Sequence, residues 1–284
     1  MVEAVGQVWR RLQTTLEAGH SVSPREARQL VQHVLELNDT ELVLAENSPF
    51  PAAQLEALDT LMQRRLAGEP LAQILGFAWF YGRKWTVTPD VLIPRPDTEI
   101  LVEAVLARLQ ARDRIAEVGV GTGCIGGTLL AERADVTLFG VDISDAAAAV
   151  ARENLGTLDV DGRWDIIVND GLESITESFN LIVSNPPYIT DMEWENLEAE
   201  VKNFEPRLAL TGSDPNADGL LFYRRLADWG RKRLATNGWL CVETGWQQGE
   251  AVRKLLQQES DLWGEISVLK DLGGRERVVC ARRC

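Results

Sequence analysis

Phe179-Asn180-Leu181-Ile182-Val183-Ser184-Asn185-Pro186-Pro187-Tyr188 runs from a short apolar segment into two consecutive prolines. The apolar part has the length and composition of a strand covered on both faces, as in a parallel sheet. The prolines then hold φ at about −65° and remove two backbone donors, so neither a ladder nor a helix continues through them. What leaves the strand is a rigid corner carrying an amide side chain, carbonyl oxygens and an aromatic ring.

Outward from this corner, strand and helix patterns alternate. Strands are expected at 114–118, 136–141, 164–168, 179–184, 238–243, 265–269 and 276–282, with helices near 123–132, 144–155, 218–235 and 247–257. Such alternation specifies a mostly parallel α/β sheet with helices on both faces and a ligand at the carboxyl ends of its strands. The short connection from Lys270 to Arg275 suits an antiparallel final hairpin. A further helix is expected from about Asp97 to Gln110.

The N-terminal part has a different texture. Val5, Val8, Trp9, Leu12 and Leu16 fall on one helical stripe, Ser23-Pro24-Arg25-Glu26 resembles a capped helix start, and Leu55, Leu58, Leu61, Met62 and Leu66 carry another helix. Phe77 to Tyr81 and Trp85 to Val87 then form a β-hairpin pattern. The expected organisation is a helical, substrate-recognising domain over 1–75, a hairpin linker over 76–93 and an α/β domain over 94–284.

Composition narrows the class. Hydrophobic content of 45% and charged content of 25% are those of a globular protein. No stretch approaches the roughly 18 apolar residues of a membrane span, and Met1 to Gln13 lack a signal-peptide core, so the expected location is the cytoplasm. Four cysteines without CxxC spacing and two histidines argue against zinc. A net charge of −14 argues for a protein or small-molecule substrate over duplex nucleic acid.

A second motif precedes the corner. Arg114 to Val118 lead into Gly119-Val120-Gly121-Thr122-Gly123, where glycines let a ligand approach the backbone. Gly121 to Gly126 also satisfy GxGxxG, so a dinucleotide-binding fold competes. Asp142 ends the next strand, where a carboxylate grips ribose hydroxyls in either reading. Glu117 before the glycines, Asp170 ending the third strand and Asn185 ending the fourth favour S-adenosylmethionine.

The corner itself suits transfer to a planar NH₂ group, and Asn-Pro-Pro-Tyr resembles the signature of methyltransferases that act on such groups. An amide or aryl amine nitrogen is a poor nucleophile, because its lone pair is delocalised. The Asn185 side-chain oxygen and the Pro186 carbonyl would grip its two N–H groups and stabilise positive charge developing on it. Pro187 rigidifies the corner, and Tyr188 is placed to stack on the planar group.

Together with Ile93-Pro94-Arg95-Pro96-Asp97-Thr98-Glu99, Glu205-Pro206-Arg207-Leu208-Ala209-Leu210, Asp218-Gly219-Leu220 and Asp271-Leu272-Gly273-Gly274-Arg275-Glu276-Arg277, these motifs resemble the HemK/PrmC family over nearly the whole chain. The resemblance implies a class I, Rossmann-like S-adenosylmethionine-dependent methyltransferase with a seven-stranded sheet. Its reaction would methylate the N5 amide of the Gly-Gly-Gln glutamine in class 1 peptide chain release factors. An N6-adenine methyltransferase acting on DNA or RNA is the alternative.

Carried over, Gly119 to Gly123 hold the methionine and ribose part with Glu117 near the ammonium end, Asp142 takes the ribose, and Asp170 and Gly171 lie by the adenine. Asn185 to Tyr188 hold the glutamine, Asn185 also lying near the cofactor. Arg95 and Glu99 sit at the substrate mouth or brace the active-site loop, and a salt-bridged helix start accounts for them equally well. Such an enzyme needs no metal, no membrane and no direct nucleic-acid contact, and is expected to be a monomer. Gly171 departs from the pattern, since a large apolar or aromatic residue is common there; Leu172 is expected to restore part of the packing. Glu243-Thr244-Gly245 ends the fifth strand at the height of the pocket rim, where loop geometry accounts for it equally well.

Overall fold

The computed structural model describes residues 3–19, 24–211 and 218–284. Helices α1 (Val5–Gly19), α2 (Pro24–Leu35), α3 (Asp39–Leu44), α4 (Ala52–Leu66) and α5 (Leu71–Leu75) come first, then strands β1 (Phe77–Phe80) and β2 (Arg83–Thr86). Next are α6 (Glu99–Leu106), β3 (Arg114–Val118), α7 (Cys124–Glu132), β4 (Thr137–Asp142), α8 (Asp145–Gly156), β5 (Trp164–Val168) and β6 (Phe179–Ser184). Three short helices follow, α9 (Asp191–Glu195), α10 (Ala199–Phe204) and α11 (Arg207–Thr211). The chain ends with α12 (Leu221–Arg233), β7 (Leu234–Glu243), α13 (Gly249–Gln257), β8 (Trp263–Lys270) and β9 (Glu276–Arg283).

Two compact units divide these elements: the chain through Gly76 together with Ala199–Phe204, and Phe77–Glu198 together with Glu205–Cys284. In the first, the stripe Val5, Val8, Leu12 and Leu16 is buried with Leu30, Val31 and Leu58, while Trp9 stays half-exposed under the Arg28 guanidinium. Buried Arg65 pairs with Glu26 at 2.6 Å and Glu200 at 3.1 Å, and Gln73 donates to the Phe204 carbonyl at 2.8 Å, which holds α10 in this unit. Ser23, expected as a helix cap, lies outside the described residues.

The second unit contains the mostly parallel seven-stranded sheet, in the order β5-β4-β3-β6-β7-β9-β8, with β9 antiparallel to both its neighbours. Both faces are covered, as continuous apolar strands require. Ile115, Leu181 and Val183 pack into one core with Leu101, Val105 and Leu129; Ala116 and Ile182 pack into another with Leu226, Trp229 and Val252. From β3 the chain crosses outward to β4 and β5, then returns to β6 on the other side of β3. That reversal opens a crevice at the carboxyl ends of β3 and β6. The Ser184 hydroxyl donates to the Val118 carbonyl at 2.7 Å and ties the two strand ends together.

Some boundaries differ from expectation. The helix expected over 97–110 is a 3₁₀ turn at Pro96–Thr98 followed by α6, which ends at Leu106. Strand β7 starts at Leu234, four residues before the expected 238; Asn237 at φ 65° and a register shift opposite Asn180 absorb the turn-like Asn237-Gly238 pair. The hairpin closes through Tyr81 (φ 49°) and Gly82 (φ 72°), the two positive φ values of a type I′ turn. Its Trp85 is buried within the sheet's first core.

Candidate active site

A cavity of about 270 Å³ lies at the crevice. The strand ends contribute Gly119 to Thr122 after β3, Asp142 at the end of β4, Asn169 to Gly171 after β5, and Asn185 to Pro187 after β6; Arg95 and residues of α12 also line it. The structure therefore brings together Gly119, Val120, Gly121, Thr122, Asp142, Asp170, Gly171, Asn185, Pro186, Pro187 and Arg95.

The glycine loop is pre-formed. Gly119 and Val120 donate to the Val141 carbonyl at 2.8 and 3.2 Å, and Asn154 of α8, fixed behind the loop, donates to the Thr122 carbonyl at 2.9 Å. Gly119 and Gly121 have φ values of 74° and 52°, and a Cβ on either would meet nothing within 4 Å. Bare backbone thus faces open space, as close approach of a ligand requires. The Asp142 carboxylate accepts from Gly121 N at 3.0 Å and Ser144 N at 2.9 Å, one bond per oxygen, so each keeps a lone pair for a hydroxyl. These residues fit the ribose and amino-acid parts of S-adenosylmethionine.

At the other end, Arg225 of α12 pairs with Asp170 at 2.7 Å and lies over the Trp229 ring at 4.7 Å from its centroid. Trp229 lines the cavity beside Gly171. Leu172, expected to restore part of the packing lost at Gly171, is fully buried in the second core and does not line the cavity. The bulk comes from a helix that is distant in sequence.

The proline corner is framed by residues of the Ile93–Glu99, Glu205–Leu210 and Asp271–Arg277 motifs. Asn185 Nδ2 donates to Thr98 Oγ1 at 3.4 Å, and Thr98 is itself buried. Glu205 forms an ion pair with Arg95 and accepts from Ile93 N at 3.1 Å. Arg277 pairs with Asp97 at 2.8 Å and Asp271 at 3.2 Å.

Four expected site residues do not line the cavity. Glu117 is fully buried under α7, where its Oε2 accepts from Gly126 N at 3.0 Å. Burial pushes its carboxyl up to about 8, against the pull of the Gly126 amide and with help from nearby Asp142. Gly123, at φ 75°, caps the N-terminus of α7 and lies against Leu155 and Ala151. The Glu99 carboxylate accepts from Tyr81 N at 2.8 Å and so anchors the hairpin turn. The Tyr188 ring packs against the second core, its carbonyl accepts from Gln248 Nε2 at 3.1 Å, and burial, with Glu243 adding, raises its hydroxyl above the usual tyrosine range.

Thr98, Asn154 and Trp229 were not read as site residues from sequence. Thr98 had a signal, its place inside the Ile93–Glu99 motif. Trp229 had an indirect one, the missing bulk at Gly171.

Residues 7–76 match the family model of the PrmC N-terminal domain, and residues 96–213 that of the methyltransferase small domain. A release factor glutamine methyltransferase of Cereibacter sphaeroides is 40% identical over 265 residues, 93% of this chain and 93% of its own. One of Neisseria gonorrhoeae is 40% identical over 260 residues, 90% and 92% of the two chains. Among solved structures, a methyltransferase from Pyrococcus furiosus has a TM-score of 0.54 at 13% identity, covering 79% of this chain and 98% of its own, a likeness of fold alone.

Proposed function

The chain belongs to the release factor glutamine methyltransferases, and from that premise we propose that it methylates the N5 amide of the Gly-Gly-Gln glutamine in class 1 peptide chain release factors. S-adenosylmethionine, when bound, supplies a methyl group activated by a sulfonium centre. Gly119 to Thr122 and Asp142 hold the amino-acid and ribose parts, and Asp170, Gly171 and Trp229 hold the adenine.

Asn185 and Pro186 position the acceptor. The Asn185 Oδ1 and the Pro186 carbonyl accept the two N–H groups of the glutamine amide, which orients its nitrogen and stabilises the charge that develops there. Pro186 and Pro187 contribute no amide donors that would compete for those oxygens. Glycines flanking the glutamine let an extended loop enter a narrow site, since they add no side-chain bulk. A translation-factor substrate places the enzyme in the cytoplasm.

One observation carries the reading. Asn185 and the glycine loop share one cavity, and Nδ2 of Asn185 is turned to Thr98, which leaves Oδ1 as the end that accepts. The test is incubation with methyl-labelled S-adenosylmethionine and either a purified release factor or its Gly-Gly-Gln glutamine→Ala variant. Label on the first alone is expected. Label on neither, with incorporation into adenine of added nucleic acid, overturns the reading.

A further inference from the structure

Glu243 ends β7 outside the cavity, with only 2% of its surface exposed. Its Oε2 is buried without a hydrogen-bond partner. The Thr98 hydroxyl and the Asn185 side-chain amide are both near enough to this carboxylate to favour its charged form. Thr98 Oγ1 already accepts from Asn185 Nδ2, so its own hydrogen is available for Glu243. Thr98 and Asn185 line the cavity, and Glu243 stands next to both of them outside it.

We infer that Glu243, acting through Thr98 and directly on Asn185, is a positioning residue that fixes which end of the Asn185 amide faces the substrate. This rests on the methyltransferase reading of the same site. An asparagine amide has two ends of nearly equal size, one donating and one accepting. The substrate nitrogen brings donors, so only the Oδ1-inward orientation is productive. An ionised carboxylate only accepts, and so draws Nδ2 outward. A protonated one also donates, and then tolerates the flipped amide.

Charged and titratable groups from several elements surround Glu243. Arg277 of β9 is shared with Asp97 and Asp271, Asp97 itself lies nearby, and the Tyr188 and Cys124 side chains are within electrostatic reach. The Tyr223 hydroxyl donates to the Glu243 main-chain carbonyl at 3.1 Å. Burial pushes the Glu243 carboxyl up to about 7, while Thr98, Arg277 and Asn185 pull it down and Asp97 raises it further. The productive, ionised form therefore fills in as pH rises through neutrality.

The experiment measures kcat for release-factor methylation from pH 5.5 to 9 in wild type, Glu243→Gln, Thr98→Val and the double variant, each at saturating cofactor. Wild-type kcat is expected to fall below about pH 7. In Glu243→Gln it is about tenfold lower at pH 8 and that acid limb is absent, while cofactor affinity stays within about twofold of wild type. Thr98→Val loses a similar factor, and the double variant loses no more than the worse single one, because both act on the one Asn185 amide. A Glu243→Gln enzyme with wild-type kcat and an intact acid limb overturns the inference. If Glu243→Gln binds no cofactor and is misfolded, Thr98→Val decides, and a wild-type rate there overturns it. Absence of methylation by the wild-type enzyme would instead count against the parent reading.

Discussion

Gly171 and Trp229 exclude each other's bulk: a Cβ at position 171 would lie 2.0 Å from Cη2 of the Trp229 ring. Gly171 also has φ 65°, which side chains rarely adopt. The cavity wall at the end of β5 is therefore built by α12, with the strand end left bare to admit it.

Replacing Trp229 by Leu removes the aromatic face beside Asp170. Base–aromatic stacking is worth about 1–3 kcal/mol, so cofactor affinity is expected to drop by that amount, with kcat at saturating cofactor little changed. Titration calorimetry with S-adenosylhomocysteine checks this. Unaltered affinity would show that the adenine rests elsewhere.

The Arg95–Glu205 pair tests the frame of the corner. The Glu205 side chain is 1% exposed and that of Arg95 38%, so removing the arginine strands a buried carboxylate. Arg95→Ala is expected to cost about 2–3 kcal/mol, below the usual loss for a fully buried pair because water reaches the arginine side. Arg95→Ala combined with Glu205→Gln is expected to recover most of it, since no charge is then buried. Urea midpoints of the three variants decide. A double variant no more stable than Arg95→Ala would mean that the packing of Arg95, not its charge, matters.

Much of this site was legible because it rests on local chemistry. Two prolines after an apolar run end a strand whatever surrounds them, and glycines before a helix bare the backbone in any fold. Asp142 and Asp170 fall at strand ends by simple alternation. Side-chain direction was harder. Glu117 shares a face of β3 with Ile115, the face that α7 covers, so its parity turns it under that helix and out of the cavity lining. Tyr188 lies past the prolines, where no period continues. Thr98, Glu243 and Trp229 act across long stretches of chain, and α10 returns to the helical unit through Arg65 and Gln73; no local pattern encodes such pairings.

Gly126 and Gly127 set helix propensity against packing. Propensity alone predicts that alanine stabilises α7 by about 1 kcal/mol at each position. A Cβ at 126 would lie 2.3 Å from Glu117 Oε2 and 2.5 Å from Leu138 Cδ2, and one at 127 would lie 2.5 Å from Cη2 of Trp85. Overpacking costs about 1–3 kcal/mol, so packing prevails and each alanine is expected to destabilise. Thermal midpoints that rise on substitution would show that α7 shifts freely on the sheet.

Glu117 makes stability depend on pH in a direction opposite to that of most acids. Its carboxyl is raised from 4.5 to about 8 on folding, so between those values the native state keeps a proton that the unfolded chain has released. Stability falls with rising pH wherever the native state binds more protons. Glu243, raised to about 7, acts in the same sense over the lower part of the window. Between about pH 7 and 8 the decline belongs mainly to Glu117. Glu117→Gln keeps an acceptor for the Gly126 amide but cannot ionise, so it is expected to lose less stability than wild type between pH 6 and pH 9. Denaturant midpoints at the two pH values measure the difference. An equal decline in both proteins would mean that the buried carboxyl is already ionised at pH 6, stabilised by the α7 amides more than burial opposes it.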